Sequence, residues 1–189
     1  DNLTISGLTA DNTYYVRVRS YTNVGSKTYY GPWSDIKNIK TAKYDITKAS
    51  VSGISTKAYT GKAITQNITV KYNGTALKNG TDYTTSYSNN KKIGKAIVKI
   101  TGKGKYGGII TKNFTINPAK QEIQKLTSKS KAFFVDWAQK GSATGYEIQY
   151  ATNSKFTNAK KVTITNHKSD KTTSSTLSGN KQYFVRVRS

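Results

Sequence analysis

Apolar and polar residues alternate along most of this chain, in short runs that are separated by turn-forming residues. In residues 14–20, YYVRVRS, valines alternate with arginines, so one face of an extended strand would be apolar and the other charged. Asn-Gly and Gly-Gly pairs follow several of the runs, and no helical period competes with the two-residue one. The pattern predicts an all-β fold whose strands bury one face in a sandwich.

The run at residues 14–20 returns at residues 183–189 as YFVRVRS, 169 positions later. In each copy a leucine stands six residues before a tyrosine, which predicts a corner that leads into a strand. Self-similarity at a fixed period indicates a repeat architecture. The match extends upstream through four further identical pairs, Leu8/Leu177, Ser6/Ser175, Thr4/Thr173 and Asp1/Asp170.

These two runs resemble the F strand of a fibronectin type III domain, with the tyrosine corner that precedes it. Trp33 and Ser34 resemble the start of strand G, residues 134–137 resemble strand B, and residues 145–150 resemble strand C. The resemblance implies that the corner phenols bond to nearby backbone and that one tryptophan lies in the core. The residues to which it gives a structural role are Leu8, Tyr14, Leu177, Tyr183 and Trp137.

A different pattern occupies the middle of the chain. Alternating runs at residues 46–51, 64–72, 82–87, 95–100 and 109–116 predict a separate β-sandwich. The anchors from Leu77 through Asp82-Tyr83 and Tyr106 to Ile116 resemble immunoglobulin-like (Ig-like) repeats of bacterial surface proteins. The resemblance implies an architecture and no catalytic residue.

Together the two resemblances imply tandem β-sandwich modules. We expect strands F and G of a fibronectin-like module in residues 1–41, with strand F reaching about residue 22 and strand G running over 33–40. An Ig-like module would occupy residues 42–119, and a fibronectin-like module without its last strand residues 120–189. We expect strands A, B, C, C′, E and F of the last module at residues 121–126, 132–138, 144–151, 159–164, 171–177 and 182–189.

A chain that starts and stops inside modules has two explanations. It is a window on a longer tandem array, or separate chains complete each other by donating strands. Donation would need only strand G, yet strand F occurs at both ends, and we therefore favour the array. The absence of Met agrees with an internal piece or a processed product.

The chain is strongly basic, with 31 Lys and Arg against 9 Asp and Glu and a net charge of +22. Spread-out lysines could keep a β-rich surface soluble and protect strand edges. Alternatively, the charge forms a binding surface for teichoic acid, nucleic acid or sulfated glycan. We favour the first explanation, and no residue pattern indicates specific nucleic-acid binding. No apolar run reaches the roughly 20 residues of a membrane-spanning helix, so we expect no membrane insertion.

Residues that could carry catalysis are few. The only histidine, His167, is predicted in a surface turn without a matching Ser and Asp spacing, and the carboxylates form no calcium-loop pattern. There is no Cys, which excludes disulfides and thiol chemistry. We predict no catalytic site, no metal site and no cofactor, and hence no enzyme.

The arginines and aromatic residues have two possible roles, one structural and one in ligand binding. Arg17 and Arg19 on strand F and Trp33 on strand G predict a cation-π ladder across the sheet. The alternative is an aromatic platform for sugar formed by Trp33 with help from Tyr21, Tyr29 and Tyr30. The candidate ligand surface then comprises Tyr29, Tyr30, Lys103 and Lys105.

These expectations lead to one function and two alternatives. The chain would be a non-catalytic repeat segment of a large extracellular protein at the bacterial cell surface or wall, acting as a stalk, spacer or adhesin. Its partners would be neighbouring copies of the repeat and, through the basic surface, anionic cell-wall polymer or glycan. The alternatives are a subunit of an extracellular fibre assembled by strand exchange, and an accessory region of a secreted hydrolase.

Overall fold

The computed structural model describes residues 2–174 and 176–189. Asp1 and Ser175, each a member of one matched pair of the repeat, lie outside the described residues. Almost all regular structure in the described part is β, which confirms the all-β prediction. The chain forms two compact units, residues up to 54 with 66–88 and 97–113, and residues 55–65 with 89–96 and 114–189. The module boundaries at 41/42 and 119/120 stay a prediction.

Residues 2–41 form two small antiparallel sheets. In the first, β1 pairs with β4, so that Tyr14 lies opposite Ile39 and Val16 opposite Lys37. In the second, β2 and β3 form a hairpin whose two-residue turn contains Gly25 at φ 62°, a conformation that favours glycine. The strands are β1 (Thr13–Val16), β2 (Tyr21–Val24), β3 (Lys27–Tyr30) and β4 (Lys37–Lys40).

The predicted long F strand is therefore shorter than expected. The strand β1 ends at Val16, and residues 17–20 face residues 31–34 through separate bonds, including Ser34 N to Val18 O at 2.8 Å and Gly31 N to Ser20 O at 3.0 Å. A regular ladder needs continuous pairing along the strand. The alternation at residues 14–20 predicted an extended conformation, but it did not predict that regular strand pairing stops at Val16.

The middle of the chain contains nine strands and one 3-10 helix among the described residues. The predicted strand at 46–51 is replaced by that helix and β6, because Asp45 caps the helix by accepting from Thr47 N at 2.9 Å. The elements are β5 (Tyr44–Asp45), the helix Ile46–Lys48, β6 (Ser50–Ser52), β7 (Lys57–Ala58), β8 (Thr69–Tyr72), β9 (Thr75–Ala76), β10 (Tyr83–Ser88), β11 (Gly94–Gly102), β12 (Tyr106–Gly107) and β13 (Ile109–Asn117).

Alternation in β11 explains the core of the first unit. Val98 and Ile100 are buried, whereas Lys99 between them is exposed. They cluster with Ile46 and Val70. The strand pairs that belong to this unit are β6 with β8, β8 with β9, β10 with β11, and the parallel pair β5 with β12. In the second unit, β7 pairs in parallel with the end of β13.

Residues 120–189 form a sandwich of two three-stranded sheets. One has the order β14-β15-β18 and the other β17-β16-β19. Trp137 of β15 contacts Tyr146 of β16, with ring centroids 5.2 Å apart, so the two sheets share one core. The strands are β14 (Ile123–Lys129), β15 (Ala132–Trp137), β16 (Tyr146–Ala151), β17 (Lys160–Ile164), β18 (Lys171–Thr173) and β19 (Phe184–Arg188).

This arrangement is fibronectin-like. The strands β14, β15 and β18 occupy the positions of A, B and E, and β17, β16 and β19 those of C′, C and F. Each strand falls within or close to the range expected from the sequence. These strands were expected from the alternation together with the fibronectin resemblance, and apolar side chains of β14, β15, β16, β17 and β19 pack in one core.

Candidate functional site

Both tyrosine corners form the same hydrogen bond. The Tyr14 hydroxyl accepts from Thr9 N at 2.8 Å, and the Tyr183 hydroxyl accepts from Ser178 N at 3.2 Å. Hydrogen bonds to Asn12 and Thr9 lower the pKa of Tyr14 below its ordinary value. Each corner thus ties a turn to the strand that follows it, with Tyr14 inside β1 and Tyr183 directly before β19.

The leucines of the two corners differ in environment. Leu177 is buried in the core of residues 120–189, whereas Leu8 is exposed. Trp137 is fully buried in the same core as Leu177. Apolar burial therefore accompanies the corner only where a complete pair of sheets surrounds it.

Arginines and aromatic rings stack on the surface of residues 2–41. The Arg17 guanidinium lies 4.2 Å and that of Arg19 4.4 Å from the centroid of the Trp33 ring. Arg19 also lies 3.7 Å from the centroid of the Tyr30 ring. We call these four residues, Arg17, Arg19, Tyr30 and Trp33, the arginine ladder.

Backbone contacts hold the arginine ladder in place. Ser34 receives a hydrogen bond from Val18 N on its Oγ at 3.0 Å, which fastens the segment carrying Trp33 to the segment carrying the arginines. Gly31 lies close to Ser20 at the crossing, so a Cβ there would require the Ser20 hydroxyl to rotate away. Trp33 precedes β4 rather than lying within it, and both arginines follow β1.

The sequence predicted Tyr30 as part of a candidate ligand surface, and the structure also places its ring in the ladder. The Tyr30 ring reaches Arg19 because the backbone at Gly31 is hydrogen-bonded to the backbone at Ser20. No spacing rule in the sequence predicts that these two segments lie side by side. Tyr29 has Lys27 Nζ at 5.2 Å from its ring centroid. Trp33 keeps 45% of its surface exposed despite the two guanidinium groups.

The other two candidate ligand residues lie in the segment between β11 and β12. Lys103 Nζ donates to the Gly80 carbonyl at 2.6 Å, and Lys105 Nζ lies 5.7 Å from the Tyr106 ring centroid. These contacts involve neither Tyr29 nor Tyr30. The structure thus brings Arg17, Arg19, Tyr30 and Trp33 together through contacts that do not include Lys103 or Lys105.

The second copy of the repeat carries a different set of partners, which sequence reasoning missed. Arg188, equivalent to Arg19, binds the Glu147 carboxylate at 2.8 Å, and Arg186, equivalent to Arg17, donates from Nε to Gln149 Oε1 at 2.7 Å. Arg186 also covers the Phe156 ring at 4.2 Å. The 169-residue period already identified both arginines and was the available signal.

Carboxylates neutralise few of the basic side chains. Among the described residues, Asp11 pairs with Lys40 and Lys43, and Glu147 pairs with Lys161 and Arg188. A hydrogen bond from Lys40 is the main cause that lowers the pKa of Asp11, and one from Arg188 does the same for Glu147. No salt bridge within the described part of the chain involves Arg17 or Arg19.

Within residues 2–174 and 176–189, no three or more metal-binding side chains of His, Cys, Asp or Glu come together. The backbone carbonyl of His167 accepts from the Tyr146 hydroxyl at 3.3 Å. Over those same ranges no helix has the length and apolar character needed to cross a bilayer.

Comparison with known proteins is sparse. No protein-family model and no curated protein sequence matches the chain. Among solved structures, it is similar to the crystal structure of the FN1-FN3 domains of chicken CNTN1, with 16% identity and a TM-score of 0.31 over 92% of this chain and 69% of that one. A similarity this distant carries no argument, and the fibronectin-like assignment of residues 120–189 rests on their sheets.

Proposed function

We propose that this chain is a non-catalytic repeat segment of a large extracellular protein at the bacterial cell surface, where it acts as a spacer. On this proposal its basic exterior binds anionic polymer of the cell wall or an anionic glycan. The alternation of fibronectin-like and Ig-like modules belongs to the same proposal.

The binding part of the proposal adopts the second explanation of the charge, and one observation carries it: the excess of basic side chains that no carboxylate neutralises. The chain has 31 Lys and Arg against 9 Asp and Glu, and among the described residues only four basic side chains form salt bridges. Charge of one sign attracts a polyanion over long range and repels other copies of the chain. It is therefore better suited to a surface that meets a polyanion than to a compact homo-oligomer.

The arginine ladder is the strongest local candidate within that surface. Trp33 holds Arg17 and Arg19 by stacking, which leaves their N–H groups able to donate to phosphate or sulfate. Both arginines lack a carboxylate partner among the described residues. Holding the side chains in place before binding reduces the entropy lost when a ligand binds.

Titration with polyphosphate of defined length tests the binding proposal. We expect the logarithm of the association constant to fall linearly with the logarithm of salt concentration. The double variant Arg17→Gln/Arg19→Gln should bind more weakly than the matched double variant Lys40→Gln/Lys43→Gln. Both remove two positive charges, but the lysines are already paired with Asp11.

Two outcomes would contradict it. An equal loss of polyphosphate affinity in both double variants would mean that the arginine ladder is not a specific site. Binding would then depend only on the total charge of the chain. No binding at low salt would rule out a polyanion as a ligand of this chain.

The spacer proposal has its own test: the mass of the native polypeptide should greatly exceed 20.8 kDa, with peptides that extend beyond both ends of this sequence. Antibodies against the chain should label intact bacteria.

A further inference from the structure

The dipeptide Asn-Gly occurs at residues 73–74 and again at residues 79–80, and a threonine follows it in both places. At such a pair the asparagine side chain reacts readily with the next backbone nitrogen, because glycine has no side chain to obstruct the attack. The local sequence gives the two sites nearly the same intrinsic reactivity. Any difference between them therefore comes from the fold.

The first pair forms the turn of the hairpin between β8 and β9. Asn73 and Gly74 have φ values of 46° and 81°, as in a two-residue hairpin turn, and Tyr72 lies opposite Thr75. Among the described residues, neither the Asn73 carboxamide nor the Gly74 N–H has a hydrogen-bond partner. Both residues are exposed, and so are the two residues of β9. This turn therefore opens at low cost.

The second pair is held by hydrogen bonds on both sides of Gly80. Gly80 N donates to Tyr83 O at 2.7 Å, and Gly80 O accepts from Lys103 Nζ at 2.6 Å. The Asp82 carboxylate accepts from Lys78 N at 2.9 Å and closes the same turn. A backbone N–H that donates a hydrogen bond must break it before its nitrogen can act as a nucleophile. The fold thus restrains the second site and leaves the first one free to react.

We infer that Asn73 is a site of spontaneous deamidation in the folded chain, whereas the hydrogen bonds of Gly80 protect Asn79. The Gly74 nitrogen loses its proton to hydroxide and attacks Asn73 Cγ. The amide nitrogen of the side chain takes a proton from water and leaves as ammonia, and a cyclic imide remains. Water then opens the imide at either carbonyl, which gives aspartate or isoaspartate. The change consumes water, releases ammonia and lowers the charge of +22 by one.

The isoaspartate product disturbs the hairpin more than the aspartate product does. It adds a methylene to the backbone of a two-residue turn, so the pairing of Tyr72 with Thr75 no longer fits. The Tyr72 ring contacts those of Tyr44 and Tyr106, with centroids 5.6 and 5.5 Å apart. A change at the exposed tip therefore reaches an aromatic cluster of the first unit. The inference does not depend on polyanion binding.

Mass spectrometry of tryptic peptides measures both sites in one sample. Trypsin cleaves after lysine and separates the sites into the peptides 72–78 and 79–91. The full chain is incubated in mildly alkaline buffer, and each deamidation exchanges NH2 for OH and so raises the mass of its peptide. We expect Asn73 to deamidate about tenfold faster than Asn79 or more, because the bonds of Gly80 must open first. Fragment spectra distinguish Asn79 from the other asparagines of its peptide.

The chain offers matched controls. In urea, both sites should deamidate at similar rates, since only the fold distinguishes them. Asn73→Gln should abolish the mass change in the peptide 72–78, because glutamine would have to close a larger and less favourable ring. Lys103→Gln removes the donor to Gly80 O and should raise the rate at Asn79 severalfold without changing the rate at Asn73.

The other outcomes overturn the inference. Equal rates at the two sites of the folded chain would show that the hydrogen bonds of Gly80 give no protection. A difference that persists in urea would assign it to the residues that precede each pair, Tyr72 and Lys78, rather than to the fold. No mass change in the peptide 72–78 would mean that Asn73 is not a modification site. An unchanged rate at Asn79 in Lys103→Gln would contradict protection by that bond.

Discussion

The two copies of the repeat place nearly the same seven residues in different surroundings. In residues 184–188, Val185 and Val187 pack against a core that includes Trp137. In the first copy, the equivalent Val16 and Val18 are 44% and 69% exposed. Alternation of valine and arginine therefore decides which face of a strand is apolar. Whether that face is buried depends on a second sheet that lies opposite, and β14, β15 and β18 form that sheet for the second copy.

The arginine faces differ as well. The first copy stacks its arginines on Trp33 and Tyr30, while the second pairs them with Glu147 and Gln149. Strand β16 lies beside β19 and provides those polar partners, with Gln149 opposite Arg186 and Glu147 opposite Arg188. The comparison shows that one sequence adopts two sets of side-chain contacts according to which strand lies next to it.

The largest effect is expected at Trp137, which is buried, whereas Trp33 of the first copy is 45% exposed. Trp137→Ala should lower the free energy of unfolding of the sandwich by about 3–5 kcal/mol, because it empties a fully buried site. Urea denaturation followed by circular dichroism measures this. A loss below about 1 kcal/mol would mean that the core of residues 120–189 does not depend on this side chain.

The equivalent valines are the sharpest test of the comparison. Val187→Asp should destabilise by about 2 kcal/mol or more, since it places a charge against the core. Val18→Asp should change stability by less than about 0.5 kcal/mol, since Val18 is exposed. Thermal and urea denaturation of both variants give the difference. Equal effects would contradict the different burial of the two copies.

Removal of the stacking ring should have a moderate effect. Trp33→Ala should cost about 1–2 kcal/mol in the stability of residues 2–41, since each exposed cation-π contact contributes about 0.5–1 kcal/mol. Hydrogen exchange of the backbone amides in residues 17–34 reports on this local structure. The control is Trp33→Phe, which keeps an aromatic face and should retain part of the protection. Equal protection in Trp33→Ala and wild type would show that the ladder does not stabilise this segment.

The second tyrosine corner should contribute about as much as one ordinary hydrogen bond. Tyr183→Phe removes the acceptor of Ser178 N and should lower stability by about 1 kcal/mol. Urea denaturation of this variant, beside a variant at the equivalent Tyr14, compares the two corners. If Tyr183→Phe were neutral, the corner would be a consequence of the fold rather than a support for it.

The smallest effect concerns pH. Arg188 holds the pKa of Glu147 below its ordinary value of 4.5, so the pair stabilises the folded chain when the carboxylate is ionised. That contribution is present above pH 4.5 and disappears as the pH falls through the lower, folded-state pKa. Denaturation curves between pH 6 and pH 2 should therefore show a shallower acid loss for Glu147→Gln. A slope equal to that of the wild type would remove Glu147 from the acid response.

The sequence predicted the strands and the core tryptophan of residues 120–189 better than it predicted contacts between distant residues. Trp137 and the strands of residues 120–189 followed from alternation and from a family resemblance, because local pattern and packing agree there. Phe156 beneath Arg186 could not be predicted, since a loop and a strand 30 positions apart meet only in the folded chain. For the same reason the contact of Arg19 with the Tyr30 ring was not predicted.

The parallel pairing at the end of β13 has a mechanical consequence. Ile116 and Asn117 lie opposite Lys57 and Ala58, and Tyr59 N donates to Asn117 O at 2.8 Å. A pulling force that enters the chain at Pro118 acts first on this end of the strand. Bonds of a parallel pair loaded along the strand direction share the force, whereas a hairpin pulled from its ends opens one bond at a time. The bonds that pair the end of β13 with β7 therefore resist such a force before it acts on the rest of β13.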